Sequence, residues 1–268
     1  MSEELIKIEP DTDNSQIEDV SSSTWEYISA HYMVYVILFL FFCVVVFYFA
    51  PTIPTIFILA ILGSWGYSFA YKKVKREFTQ EFGRSIGFTY MDSSPIESVS
   101  GKLFSTGHDR SISDVLSGVY QNIPMQIFTF RFTIGSGKSS HTYSYTVIEA
   151  TLTGTVPHIL LFSKIHNSVV SDWFSEDETI NLEGDFNKYF TLRVPEGHGQ
   201  EAFQIFTPDV MTKLIDMAYE LSFEFIGNKL YIYAVRVITK RDDFQNMFDL
   251  SKYLISLFNK NTQNINET

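Results

Sequence analysis

The stretch Gly135-Ser136-Gly137-Lys138-Ser139 has the residue types of a phosphate-binding loop, in which glycine amides and a lysine cradle a nucleotide's phosphates. The full motif needs another glycine five positions before the second one, and there this chain has Phe132. It also needs a helix after the loop, whereas the residues beyond Ser140 alternate like a strand. These five residues therefore read as a hairpin tip, with glycines allowing the reversal and Lys138 solvated. His108-Asp109 has the types of a general-base pair, but adjacent side chains on an extended chain point to opposite faces.

His141, His158, His166 and His198 show none of the short spacings of zinc ligands, and the single cysteine, Cys43, has no partner for a disulfide. No GxSxG elbow surrounds any serine. Glu176, Asp177 and Glu178 read as a solvated acidic loop, since clustered carboxylates repel; weak cation binding is the lesser reading. No catalytic, cofactor-binding or metal-ligating residue is assigned, and no cofactor is expected.

The elements that carry these residues begin with 45 residues, Tyr27 to Tyr71, that contain no Asp, Glu, Lys or Arg. Met33 to Ala50 is apolar or aromatic throughout, and from Thr55 to Tyr71 only Thr55, Ser64 and Ser68 interrupt, apart from glycines. Eighteen helical residues reach about 27 Å, close to the hydrocarbon thickness of a bilayer. Pro51 and Pro54 favour a tight turn between two spans over one long helix. The expectation is a transmembrane helical hairpin over 31–71, with spans at about 33–50 and 55–71. A cleaved signal peptide needs a basic start, and residues 1–30 carry eight acids against Lys7. That acidic segment reads as a disordered tail.

Lys72, Lys73, Lys75 and Arg76 follow the second span directly, which places both termini and the soluble part in the cytoplasm. Trp25, Tyr27, Tyr32 and Tyr35 face Trp65, Tyr67 and Tyr71 as an aromatic belt at one interface. Ala60 and Ser64, with Gly63 and Gly66, suit close packing against the first span, ahead of homo-oligomer formation. No ionisable side chain lies between Met33 and Tyr71, so a pump or channel built by this chain alone is not expected.

Residues 72–86 read as a basic juxtamembrane helix with Phe78, Phe82 and Ile86 on one face and Gly83 and Gly87 as a stop. Residues 87–260 follow as one domain, long enough to bury its own core. Phe128, Phe130, Phe132 and Ile134 alternate with Thr129, Arg131 and Thr133, and Tyr143, Tyr145 and Val147 with Ser144 and Thr146. Leu221, Phe223 and Phe225 alternate with Ser222 and Glu224, after which Gly227-Asn228 predicts a hairpin into Leu230–Val237. Thr207-Pro208-Asp209 predicts a helix start. Phe244, Met247, Phe248, Leu254, Ile255 and Phe258 trace a second helical stripe, and 261–268 reads as a polar tail. Strands first and helices late indicate α+β with a mainly antiparallel sheet. The chain's net charge of −11 argues against nucleic acid as a partner.

Leu182-Glu183-Gly184-Asp185-Phe186, Tyr189-Phe190 and Phe206-Thr207-Pro208-Asp209-Val210-Met211, behind the hairpin, carry a resemblance to a known family. The chain resembles an uncharacterised bacterial family of two-pass membrane proteins with a cytosolic domain of unknown function. The resemblance implies a bacterial membrane protein and brings no activity, cofactor or catalytic residue. The leading expectation is a non-enzymatic, membrane-anchored interaction module, with the lipid bilayer and an unidentified protein as partners. Two alternatives stand beside it: a membrane-tethered hydrolase using dispersed residues such as His108, Asp109 and Asp185, and a pleckstrin-like lipid sensor. The second needs Lys102, Arg110, Arg131 and Lys138 to form a basic cluster.

Overall fold

The computed structural model describes residues 19–49, 53–165 and 178–266, without the side chains of helical residues 31–35, 46, 47, 49, 53–56, 58, 59 and 259–266. The tail over 1–18, the turn at Pro51, and Glu176 and Asp177 of the acidic loop lie outside the described residues. The chain divides into two compact units, Met1–Glu81 and Phe82–Thr268.

In the first unit, helix α1 spans Val20–Phe49 and α2 begins at Ile53 and runs to Ser85. Helix starts well inside the segment expected as a disordered tail. Asp19 explains this, because its Oδ1 accepts the Ser21 N–H at 2.7 Å and satisfies an otherwise orphaned donor of the first turn. Pro54 sits in the first turn of α2, where its missing donor is not needed. The start of α1 meets the late part of α2 through aromatic rings: Trp25 lies 5.5 Å from Tyr67, and Lys73 sits 4.6 Å above the Tyr27 ring. The two helices are therefore antiparallel.

Their apolar side chains point outward. Phe41 is 67% exposed, Ile61 66% and Trp65 73%. Ala60, Gly63, Ser64 and Gly66 are exposed too, and a Cβ added at Gly63 or Gly66 would meet nothing within 4 Å. This corrects the expected packing of the small residues against the first span, since α1 touches α2 through rings near Tyr67 instead. Among the described residues, no helix is long and apolar enough to cross a membrane.

The second unit begins at the end of α2, where the chain closes a Schellman turn. The Phe88 N–H reaches the Gly83 carbonyl at 2.7 Å and the Gly87 N–H reaches Arg84 at 3.2 Å, with Gly87 at φ +75°. That left-handed position suits glycine because a Cβ would crowd the carbonyl.

Among the described residues seven strands follow: β1 (Thr89–Ser94), β2 (His108–Tyr120), β3 (Ile123–Ile134), β4 (His141–Ser163), β5 (Glu178–Ile180), β6 (Phe190–Val194) and β7 (Ser222–Ala234). Every pairing between them is antiparallel. Four helices accompany the later strands: α3 (Phe186–Tyr189), α4 (Gly199–Ile205), α5 (Pro208–Ala218) and α6 (Arg241–Asn266). This is an α+β architecture with a mainly antiparallel sheet and late helices, as the sequence patterns predict. Helix α5 starts at Pro208 as expected, although the Thr207 side chain makes no capping bond. Helix α6 runs on to Asn266, through most of the segment expected as a polar tail.

The 23-residue β4 organises the sheet. Residues 146–150 pair with both β3 and β7, so these two strands occupy opposite edges of β4. Residues 160 and 161 pair with both β6 and β7, so β6 takes over further along the edge that β3 has left. Between the two segments lie Gly154 and Pro157, which weaken regular pairing, and the β4–β7 register shifts at Val156.

Gly227 faces Val156 at that shift with φ +60°, and β7 continues through it without reversing. In place of the hairpin expected at Gly227-Asn228, the chain makes a left-handed step within β7 opposite extra residues of a bulged β4. A glycine at positive φ is required by both devices, so the dipeptide alone does not separate them.

The sheet has two dissimilar faces. One carries Phe128, Phe130, Phe132, Tyr145, Val147, Tyr231 and Tyr233 beneath a segment that contributes Leu103 and Phe104. The Phe104 ring lies 5.0 Å from both Phe130 and Tyr231. The other face packs against α6, whose Phe258 touches Phe225 at 5.0 Å and Phe206 and Phe223 at 6.1 Å.

Candidate functional site

Two glutamates sit where strands usually bury apolar groups. Glu149 on β4 stands opposite Tyr231, and Glu224 on β7 stands opposite Leu160. Glu149 shares the face of Tyr145 and Val147 by the two-residue repeat. Glu224 is on the same face because the left-handed step at Gly227 resets the alternation before Tyr231 and Tyr233. Glu224 is 1% exposed.

Burying a carboxylate costs several kcal/mol unless its oxygens are met by donors. For Glu224 they are met. Its Oε1 accepts the Lys102 N–H at 2.7 Å and lies 2.6 Å from His158 Nε2, while Oε2 accepts the Tyr233 hydroxyl. Gly101 makes the approach feasible, since a Cβ there would stand 2.9 Å from Oε2. Glu149 accepts Lys229 Nζ at Oε1, and the same ammonium reaches Thr151 Oγ1 at 2.9 Å. Its Oε2 has no partner of good geometry, although the nearby Tyr231 phenol feels its charge. The Tyr231 hydroxyl accepts the Ser100 N–H at 3.0 Å.

These surroundings hold the phenols in their protonated form. Burial, followed by the Glu149 charge, pushes Tyr231 up to about 12, and burial alone dominates a similar rise to about 12 at Tyr145. Burial and then the Glu224 charge raise Tyr233 well above its ordinary value. A carboxylate, an imidazole and phenols together have the types for proton transfer. Here their hydrogen bonds close on one another and on the 100–102 backbone, so the cluster pins that segment to the sheet. His158, 29% exposed on its side chain, is the part that meets solvent.

The expected chemical residues are placed differently. His108 and Asp109 do meet, with Nδ1 and Oδ2 2.8 Å apart, because Asp109 adopts φ +51° and the chain is not extended there. This corrects the expectation of opposite faces. Nε2 also contacts the Gly135 carbonyl at 2.8 Å, so both ring nitrogens face acceptors. The Gly135 carbonyl and then Asp109 raise the His108 pKa. Asp185 pairs instead with Lys188 at 2.8 Å, at the head of α3. The glycine-rich loop is the tip between β3 and β4, as expected.

Arg110 shares the Ile112 face of β2 and donates to the Phe104 carbonyl, whereas Arg131 lies on the opposite face of β3 and donates to Ser144. These two guanidinium groups do not converge. Among the described residues, no group of three or more His, Cys, Asp or Glu is placed to hold a metal.

A second feature escaped the sequence reading. A groove of about 690 Å³ opens between the end of α5, the chain leaving β7 and one side of α6. Its apolar lining includes Met217, Leu221, Ile238, Met247, Leu250 and Tyr253, and its polar lining includes Glu220, Asp243, Asp249 and Arg236. The sequence pattern singles out one stripe on α6, Phe244 to Phe258. Asp243, Met247, Leu250 and Tyr253, at spacings of three and four, mark a second stripe that was available in the sequence.

No protein-family model matches the chain, and no curated protein matches it. Among solved structures, the crystal structure of the mycobacterial trehalose monomycolate transport factor A, TtfA, is similar. The TM-score is 0.52 at 13% identity, covering 70% of this chain and 93% of that one. At that identity the likeness concerns the fold.

Proposed function

We propose that the chain is a two-pass membrane protein whose α+β unit is a non-enzymatic interaction module on the cytoplasmic side. The observation that carries the reading is the outward display of large apolar side chains by α1 and α2, with Phe41, Ile61 and Trp65 each about two-thirds exposed or more. In water such a surface is a liability, and in a bilayer it is solvated. The uncharged run from Tyr27 to Tyr71 and the cations from Lys72 to Arg76 support the same placement. The inward-closed bonding of Glu224 favours a structural use of the carboxylate over turnover. The similar fold belongs to a protein named as a transport factor, which agrees with an accessory role. The bacterial two-pass family that the sequence resembles fits this reading.

Membrane extraction tests it. The full chain is expected to stay in the membrane pellet through alkaline carbonate and to leave only with detergent. A reporter active only outside the cytoplasm, fused after Thr268, is expected to stay silent. Release by carbonate would overturn the anchoring, and a strong reporter signal would overturn the sidedness.

A further inference from the structure

We propose that the groove between α5 and α6 docks a basic amphipathic helix of a partner protein. The proposal rests on the interaction-module reading and gives that partner its chemistry. On α6 the lining residues Asp243, Met247, Leu250 and Tyr253 follow helical spacing along one side. Ten residues of helix extend about 15 Å, room for two to three turns of a partner laid alongside. The groove's volume, about 690 Å³, falls within the range of sites that accept whole side chains.

Seven large apolar side chains are exposed among the described residues of 82–268, and Met217, Tyr219 and Tyr253, three of the seven, line this one groove. Met217 and Met247 add flexible, polarizable side chains, which adapt to an apolar helix face. Charge selects the sign of the partner. Glu220, Asp243 and Asp249 line the groove against Arg236, whose guanidinium lies 4.0 Å from Asp243. Lys252 pairs with Asp249 at 2.5 Å from beside the groove, so a negative excess remains after both cations are counted. An acidic helix meets like charge there, and a basic one gains from both its faces.

The test uses the full chain in nanodiscs of phosphatidylcholine, with empty discs as background. The probe is a fluorescent Leu/Lys amphipathic peptide of about 18 residues, long enough to be helical. Saturable binding above the empty discs is expected. Tyr253→Lys and Met217→Lys, both at exposed positions, should each weaken it at least about tenfold. Joint Glu220→Gln and Asp249→Asn should weaken it about threefold and flatten its salt dependence. Val119→Lys, exposed on β2, should leave it unchanged.

Binding unmoved by both lysine substitutions overturns the proposal, as does equal affinity for a Leu/Glu peptide or no signal above empty discs. Near-UV circular dichroism verifies that each variant is folded. Cross-linked partners purified with the wild type separate the two levels of the argument. Partners kept equally by Tyr253→Lys defeat the groove and leave the module reading standing. If the wild type brings none, the module reading fails, and the peptide titration alone decides the groove.

Discussion

The helical unit and the sheet unit invert the usual distribution of polarity in opposite ways. In α1 and α2, Phe41, Ile61 and Trp65 face outward, where a water-soluble protein places charge. In the sheet, Glu149 and Glu224 lie inside, where strands place valine and isoleucine. Each inversion requires compensation from its surroundings. For the glutamates it is supplied by Lys102, His158, Tyr233 and Lys229. For the helices, the membrane reading proposed above would supply it from lipid. The comparison teaches that the two units depart from the usual polarity pattern by different means, so each unit should respond to substitutions the other ignores.

The largest expected effect is in the sheet unit's aromatic layer. Phe258 is fully buried among Phe206, Phe223 and Phe225, so Phe258→Ala should cost about 3–5 kcal/mol. Denaturant unfolding of the full chain in detergent, followed by near-UV circular dichroism, measures it. An unchanged midpoint would place α6 outside the core.

Next comes the helical unit. Phe41→Lys should oppose insertion by about 2.5–3.5 kcal/mol if the position lies near the centre of a span. It should reduce the membrane-integrated fraction while leaving the sheet unit's unfolding midpoint alone. A shifted midpoint with unchanged integration would reverse the comparison.

Glu224→Gln is expected to cost about 1–3 kcal/mol, because an amide donor then faces donors that the carboxylate satisfied. Glu149→Gln should cost less, since Oε2 has no well-formed bond to lose. Equal costs would mean that the hydrogen bonds at Glu224 add little.

The pH dependence follows from Tyr233. Its folded pKa is raised, so its contribution is complete below the ordinary value of 10.0 and is lost as pH rises toward the folded value. Stability should decline above pH 10, and Tyr233→Phe should make that decline shallower, with Tyr231 and Tyr145 accounting for the remainder. A spectrophotometric phenol titration of the folded chain should leave Tyr233 protonated after exposed tyrosines have ionised. The smallest effect is at the β3–β4 tip, where Lys138→Ala should change stability by no more than about 0.5 kcal/mol. ATP and GTP with magnesium should show no binding that depends on Lys138, by isothermal titration calorimetry.

What the sequence revealed depended on how local the cause was. The Phe128–Ile134 alternation, the start at Pro208 and the Phe244–Phe258 stripe are set by neighbours within a few residues, and all were legible. Gly227-Asn228 was legible as a place of positive φ, but whether the chain reverses there depends on Val156, about seventy residues earlier. Glu224 was placed on the polar side of an alternating strand. Nothing within its own strand signals that His158 and Lys102 complete its bonds. His108-Asp109 was misjudged because the left-handed backbone at Asp109 is a property of the β2 irregularity.

The double-edged β4 sets a timetable for biosynthesis. One of its edges can close as soon as β3 and β4 have left the ribosome, while the other waits for β7, about seventy residues later. At 5–20 residues per second, that edge stays unpaired for roughly 4 to 14 s. Throughout that interval an apolar strand offers its amides to any neighbouring nascent chain. A lag of this length makes polysome crowding, and not final stability, the first place where a slower-translated or overexpressed message would show aggregation.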